Sequence, residues 1–316
     1  MPKLIAVDHG NYAIKTPNFV FMSGLLEHPV KPMILETETV EYEGKIYTLS
    51  NERIKYMRDK TRDERFFILT LFAIAKELHS MDAFEPLIEV DLAVGLPPEH
   101  YSTLRDKFAQ YFKRDKVNFV HNGHPICVLI RNVFVYPQAY AAVVPRGQSL
   151  LDTPRQFVVD IGGFTTDVLL LRNGEPDLRF CRSLESGVIT MCNTIIGKVN
   201  TQHDMAIDDE FVTDILMGRE SSLPQNVQDT IHNAARQHSG NILDQLRELQ
   251  MDLRSTPAIF IGGGSLLFRQ YIEHSPLVMR VDFEGEPKAN AIGYGILATS
   301  QLKRMAVKQG GCGENR

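Results

Sequence analysis

Two short stretches of this chain are built alike. Leu4-Ile5-Ala6-Val7-Asp8-His9-Gly10 and Phe157-Val158-Val159-Asp160-Ile161-Gly162 each run an apolar strand into an aspartate and then into a glycine turn, and the aspartates lie 152 residues apart. An apolar run of this length bounded by a glycine turn reads as a buried strand entering a hairpin. Each copy is followed by a mixed strand-and-helix region, so a duplicated α/β domain is the simplest fold class. A length of 316 residues gives each copy enough chain for its own core.

The rest of the chain fits this division. Strand and hairpin patterns are expected at residues 39–50, with Glu43-Gly44 as the turn, at Val90–Val94, and at Val117–Val120 and Ile126–Val135 around Asn122-Gly123. Helical periodicity covers Arg62 to His79 and His100 to Phe112. Gly95-Leu96-Pro97-Pro98 is expected to leave its sheet, and Pro137 to open a helix over Gln138–Val144. Proline and glycine between residues 145 and 156 mark the domain boundary, which gives domains of residues 1–150 and 151–316. Helices are expected to dominate from Gly187 to Leu253. Ala258–Ile261 reads as a strand, Gly262-Gly263-Gly264 as a turn, Ser265 as a helix cap, Ala289–Leu302 as a last helix and Lys308–Arg316 as an unstructured tail.

Composition narrows the function classes. Hydrophobic residues make up 43% and charged residues 23%, as in a folded soluble protein. A net charge of -5 disfavours broad attraction to DNA or anionic lipid, although Lys55–Arg62 forms a local basic run. Cys127, Cys181, Cys192 and Cys312 form no C-x-x-C pair, so neither a zinc ribbon nor a disulfide framework is expected. No apolar run approaches the roughly 20 residues that span a bilayer. Asp8 also comes too early for a signal peptide, so a cytoplasmic protein is expected.

The motif chemistry points to a nucleoside triphosphate. Glycine turns bring backbone N–H groups close to phosphate oxygens because no Cβ intervenes. Magnesium takes one or two carboxylates and keeps several waters, a role open to Asp8 and Asp160. Gly10, Asn11, Gly162 and Gly163 supply the turns, and Thr165 and Thr166 add hydroxyls. Lys15 is either a phosphate contact or a plain surface lysine, and Asp167 reads as a brace for its turn. Gly262, Gly263 and Gly264 lead a strand into a helix N-terminus, which favours anions. A dinucleotide fingerprint near the N-terminus and a P-loop are both missing.

Taken in order, these segments resemble the five motifs of the actin, sugar kinase and heat-shock chaperone superfamily. Asp8–Lys15 is similar to its first phosphate motif and Phe157–Val168 to its second. Val133–Ala142 and Ala289–Gly295 are similar to its two connecting motifs, and Ala258–Ser265 to its adenosine motif. Within it, Val94-Gly95-Leu96-Pro97 with Tyr101 resembles the ParM/StbA plasmid-segregation branch.

The resemblance implies an actin-like fold of two duplicated RNase H-like domains around a nucleotide cleft. It implies a small insertion at about residues 20–85, a helical insertion at about 200–255, and a final helix that packs back on the first domain. It further implies ATP or GTP with Mg2+, filament formation, and a DNA-binding adaptor of the ParR type. Asp8 and Asp160 would hold magnesium through water. Gln138, where many relatives carry glutamate, would orient the attacking water, Gly187 would meet the ribose and Glu210 the adenosine. A small-molecule kinase of the same fold and a non-catalytic nucleotide-binding scaffold are the competing readings.

Overall fold

The computed structural model describes residues 2–30 and 37–310. Cys312 and the end of the expected tail lie outside the described residues. The described chain falls into two compact units. One comprises the residues up to Arg146 together with those from Lys288 onward, and the other comprises Gly147–Pro287.

The first unit opens with β1 (Lys3–His9), β2 (Ala13–Lys15), β3 (Val20–Met22), β4 (Leu25–His28), β5 (Thr39–Tyr42) and β6 (Lys45–Leu49). It continues with α1 (Arg65–Ser80), β7 (Ile88–Leu96), α2 (Pro98–Phe112), β8 (Val117–His121), β9 (His124–Pro137) and the short α3 (Tyr140–Val143), and it is completed by α9 (Ala289–Gly310). The second unit holds α4 (Gln148–Leu151), β10 (Arg155–Ile161), β11 (Thr166–Arg172), β12 (Glu175–Leu184), α5 (Val188–His203), α6 (Asp209–Leu216), α7 (Gln225–Glu248), β13 (Ala258–Ile261), α8 (Gly263–Glu273) and β14 (Val281–Phe283).

The duplication read from two aspartate turns extends through the sheets. The second unit has the strand order β12-β11-β10-β13-β14, and the first contains β3-β2-β1-β7-β9. In each, the aspartate strand pairs antiparallel with the strand that follows it and parallel with a later one. The outer pairs match as well: antiparallel on the hairpin side and parallel on the other. The first sheet then grows past β9 by β8, β5, β6 and β4, reaching nine strands.

β1 and β10 are buried because they are the middle strands of their five. Ile5, Val7, Val158, Val159 and Ile161 are at most 1% exposed. Each such side chain contributes about 1.5–3 kcal/mol relative to solvent exposure. The periodic face expected for α1 understates its burial. Phe66 through Ala75 are all buried, so this helix is wrapped on every side. Its one polar residue in that run, Thr70, donates to the Phe66 carbonyl at 2.7 Å, which satisfies the hydroxyl inside the core.

Several expected boundaries move. Gly95 and Leu96 stay in the sheet, paired with Tyr136 and Pro137, and the strand ends only at Pro97. Gly95 permits this, since a Cβ there would overlap the Tyr294 hydroxyl. Pro137 closes β9 instead of opening a helix. The chain then turns through Ala139 at φ 62° before α3 begins at Tyr140. Gly262, not Ser265, caps α8, and Ser265 sits inside the first turn with its hydroxyl donating back to the Gly262 carbonyl at 2.7 Å.

α9 continues past Leu302 to Gly310. It packs on β1, β7 and α3, so the second unit ends at Pro287, well short of residue 316. Among the described residues no helix is long and apolar enough to cross a membrane.

Candidate functional site

In the first unit, β1 and β2 pair so that Asp8 faces Lys15 across the hairpin. Asp8 is 2% exposed. Its Oδ1 accepts from the Gln138 amide at 2.9 Å, and its Oδ2 lies 3.7 Å from Lys15 Nζ. A buried carboxylate needs such partners, because desolvation without them costs several kcal/mol. The tip is tight: a Cβ on Gly10 would stand 2.5 Å from the Ala13 carbonyl oxygen, and the guanidinium of Arg53 covers the ring of Tyr12 beyond Asn11.

His9, next to Asp8 on the strand, points the other way, into the core. Its ring stacks on Phe112 with centroids 4.8 Å apart, and Nε2 lies 2.8 Å from the Thr70 hydroxyl. Burial, reinforced by the nearby Lys60 ammonium, lowers its pKa to about 3, so the ring is neutral. The Thr70 proton is committed to Phe66, which makes His9 Nε2 the donor.

Gln138 is held by backbone on either side. Its own amide N–H donates to the Leu96 carbonyl at 2.8 Å. The next N–H, of Ala139, donates to the side-chain oxygen of Asn290 on α9 at 3.0 Å. α9 comes that close because Gly293 has no Cβ; one would overlap the Ala141 carbonyl. Sequence reasoning marked the Ala289–Gly295 segment as a motif but passed over Asn290. Its signal was an asparagine in an otherwise small and apolar helical stretch.

In the second unit, Asp160 is the next-to-last residue of β10 and pairs in register with Asp167 on β11. Like charges placed opposite each other repel. Asp167 is drawn into its turn, where its carboxylate accepts from the Thr165 hydroxyl at 3.1 Å. The Gly162 amide closes the turn on the Thr165 carbonyl at 2.8 Å. Thr166 is fully buried and donates to the Ser186 carbonyl at 2.6 Å, so its hydroxyl ties the hairpin to the segment ahead of α5 and does not line the turn's outer face.

Gly187 caps α5 against this turn. A Cβ on it would stand 2.5 Å from the Gly163 oxygen and 2.7 Å from the Gly162 oxygen. The first amides of α5, Val188 and Ile189, donate to those same carbonyls at 3.0 and 2.7 Å. The N-terminus of α5 is therefore already occupied by protein. Ser186, beside it, is anchored to α7 through His238 at 3.1 Å, another positioning contact the sequence did not signal. The His238 ring is buried against Phe268, which pushes its pKa down.

The N-terminus of α8 is different. Gly262 takes φ 82°, a conformation that favours glycine, and a Cβ on it would collide with Asp160 Oδ1. Gly264 packs on Ile161 and Val188, while a Cβ on Gly263 would meet only open space. The second unit thus brings together Asp160, the Gly162-Gly163 turn, Gly187 and the open first turn of α8. Glu210 is not part of this group. It is exposed in the first turn of α6, and its amide donates to the Asp208 cap at 3.1 Å.

This pair of sheets and turns defines an actin-like protein. The profile described as actin-like proteins N-terminal domain matches residues 6–140, and that described as archaeal actin homologue MreB-like, C-terminal, matches residues 158–274. The chain belongs to the actin-like proteins, and its fold is that of the ParM type.

Among solved structures it is similar to Ta0583, an archaeal actin homologue, at 18% identity over 94% of this chain and 99% of that one, with a TM-score of 0.76. It is also similar to Ta0583 in complex with ADP (18% identity, 95% and 100% coverage, TM-score 0.69). A 15-stranded ParM filament from Clostridium botulinum is a further neighbour (17% identity, 95% and 100% coverage, TM-score 0.73). No curated protein matches the sequence.

Proposed function

We propose that this chain is a nucleotide-driven, filament-forming ATPase that uses ATP or GTP with Mg2+ and serves plasmid or DNA segregation through a DNA-binding adaptor of the ParR type. The observation that carries the reading is the repeated five-strand order, which places an aspartate at the next-to-last position of one strand in each unit, beside a glycine turn. Neighbours of the same fold, one a filament and one bound to ADP, support it.

The residues fit the ligand. Above Gly263 there is open space at a helix N-terminus, where backbone N–H groups favour phosphate. Each unit has an aspartate, Asp8 in the first and Asp160 in the second, whose carboxylate offers the oxygen donors that hard cations prefer. Bound Mg2+ would neutralise charge on the phosphates. Gln138 spends its NH2 on Asp8, which leaves its carbonyl oxygen to accept a hydrogen bond from the attacking water. An amide is no base, so the contribution of Gln138 is to orient that water, as suits phosphoryl transfer. Lys15 sits beside Asp8 as a compact positive charge for the phosphates.

Light scattering and pelleting of micromolar protein test the proposal. Polymer and phosphate release are expected with Mg-ATP or Mg-GTP and neither without nucleotide; a chain that stays monomeric with both nucleotides overturns the filament reading.

A further inference from the structure

The segment between β6 and α1 carries the basic run Lys55–Arg62, and it grips the first aspartate turn at both ends. At the entry, Lys60 Nζ donates to the His9 carbonyl, which precedes Gly10. At the exit, the Arg53 guanidinium covers the Tyr12 ring, 4.7 Å from its centroid. Backbone closes the same end. The Ser23 amide donates to the Tyr12 carbonyl at 3.1 Å, and the Ile54 amide donates to the Ser23 carbonyl at 2.8 Å. Ile54 is buried in the core of the first unit, so Arg53 stands on an anchored neighbour. Gly10 and Asn11 lie between the two grips.

Lys60 is itself held from behind. It opens a single helical turn, Lys60–Arg62, capped by Asp59, whose Oδ1 accepts from the Thr61 hydroxyl at 2.6 Å and from the Thr61 amide at 3.2 Å. Oδ2 of the same carboxylate accepts from Lys107 of α2 at 2.6 Å and lies 3.4 Å from Arg62 Nε. Arg58 makes a second tie to α2, donating to His100 at 3.1 Å. The Lys60 ammonium also stands 5.4 Å from the centre of the buried Phe66 ring. A lysine fixed at its base and flanked by a ring has less freedom left to lose, so its hydrogen bond constrains the carbonyl it meets.

The turn needs an outside support. The close approach of the Ala13 carbonyl demands glycine at position 10, and glycine holds a single backbone conformation poorly by itself. A charged donor on the His9 carbonyl fixes the rigid peptide plane that leads into Gly10. We propose that Lys60, seconded by Arg53, is a positioning residue for nucleotide phosphates, setting the shape of the Gly10-Asn11 turn before the anion arrives. Both side chains act through the turn. The ordering cost of that shape is then met in folding and not in binding, which raises affinity without a new ligand contact. The inference rests on the reading of the first turn as a phosphate site.

The test is equilibrium fluorescence titration of the full chain with mant-ATP and with mant-adenosine, both in the presence of Mg2+. Lys60→Met should weaken mant-ATP about 10–100-fold and leave mant-adenosine within about twofold, because only the phosphates read the turn. Lys60→Arg keeps a charged donor and should recover most of the loss. Arg53→Met should weaken mant-ATP alone, by about two- to fivefold. Failure of the parent chain to bind mant-ATP overturns the nucleotide reading and this inference with it. A parent that binds and a Lys60→Met that binds equally well overturn this inference alone, as do equal losses for the two ligands or a Lys60→Arg no better than Lys60→Met. Should Lys60→Met fail to fold, Arg53→Met decides by the same comparison.

Discussion

The two aspartate turns are copies in topology and opposites in readiness. Asp8 is buried and already engaged by Gln138 and Lys15, and the residue after it, His9, is a neutral imidazole locked in an aromatic core. Asp160 lies beside Gly262 and an open helix N-terminus, and the residue after it, Ile161, is ordinary packing. The first turn holds charges in preset pairs, whereas the second is shaped by missing side chains. A duplicated scaffold has thus been divided between positioning and cradling.

The largest effect should come from filling the cradle. Gly262→Ala forces a Cβ against Asp160 at a positive φ, at a cost of about 1–3 kcal/mol in backbone strain. It should also lower nucleotide affinity by about 100-fold in equilibrium titration, since misplacing the helix start misplaces its donors. Affinity within threefold of the parent would show that the α8 terminus is not the phosphate contact.

Asp160→Ala comes next. Loss of the carboxylate proposed to hold Mg2+ should remove Mg-nucleotide binding while thermal stability changes by less than about 1 kcal/mol, because Asp160 is only partly buried. Asp8→Ala should lose stability as well as binding, as Lys15 and Gln138 lose their shared acceptor. Equal stability losses in the two variants would erase the contrast between the turns.

Gln138→Ala should spare binding and slow turnover by about 10–1000-fold, the range for removing one positioned polar group. Asn290→Ala should do the same more mildly. It frees the Ala139 amide and loosens the turn carrying Gln138, for about 1–3 kcal/mol of lost hydrogen bonding. Single-turnover phosphate release reads both, and a rise in KM with unchanged kcat would contradict the assigned roles.

The smallest effect concerns acid. The folded pKa of His9, about 3, lies below its unfolded value of about 6.5, so between those values the unfolded chain binds more protons. The contribution of His9 to the stability of the first unit is fully present above about pH 6.5 and is lost as pH falls toward 3. His100 and His238 add the same sign, one in each unit. Hydrogen exchange resolved by peptide should show β1 and α1 loosening on acidification, and His9→Gln should flatten the trend.

Much of this was legible because glycine and aspartate mark backbone geometry directly. The β1 and β10 turns, the β13 strand and the Asn122-Gly123 hairpin stand where the residue types put them. The failures share a cause: the deciding contact was distant in sequence. Pro137 closes a strand because β7 pairs beside it, and Ser265 is no cap because Gly262 adopts a conformation set by the nearness of Asp160. Thr166 looked like a phosphate ligand until the Ser186 carbonyl, 20 residues on, claimed its hydroxyl. Asn290 and His238 position site residues from helices far along the chain, and no local pattern announces that.

α9 belongs to the first unit although the whole second unit separates it from the rest. During synthesis, residues up to Arg146 emerge lacking the helix that covers β1 and β7, so Ala6, Ala93 and Phe134 stay without their Tyr294 and Ala298 cover. The second unit is continuous and can close as soon as its own chain is out. The order of translation and the order of completion are therefore reversed in this molecule: the domain begun first is finished last.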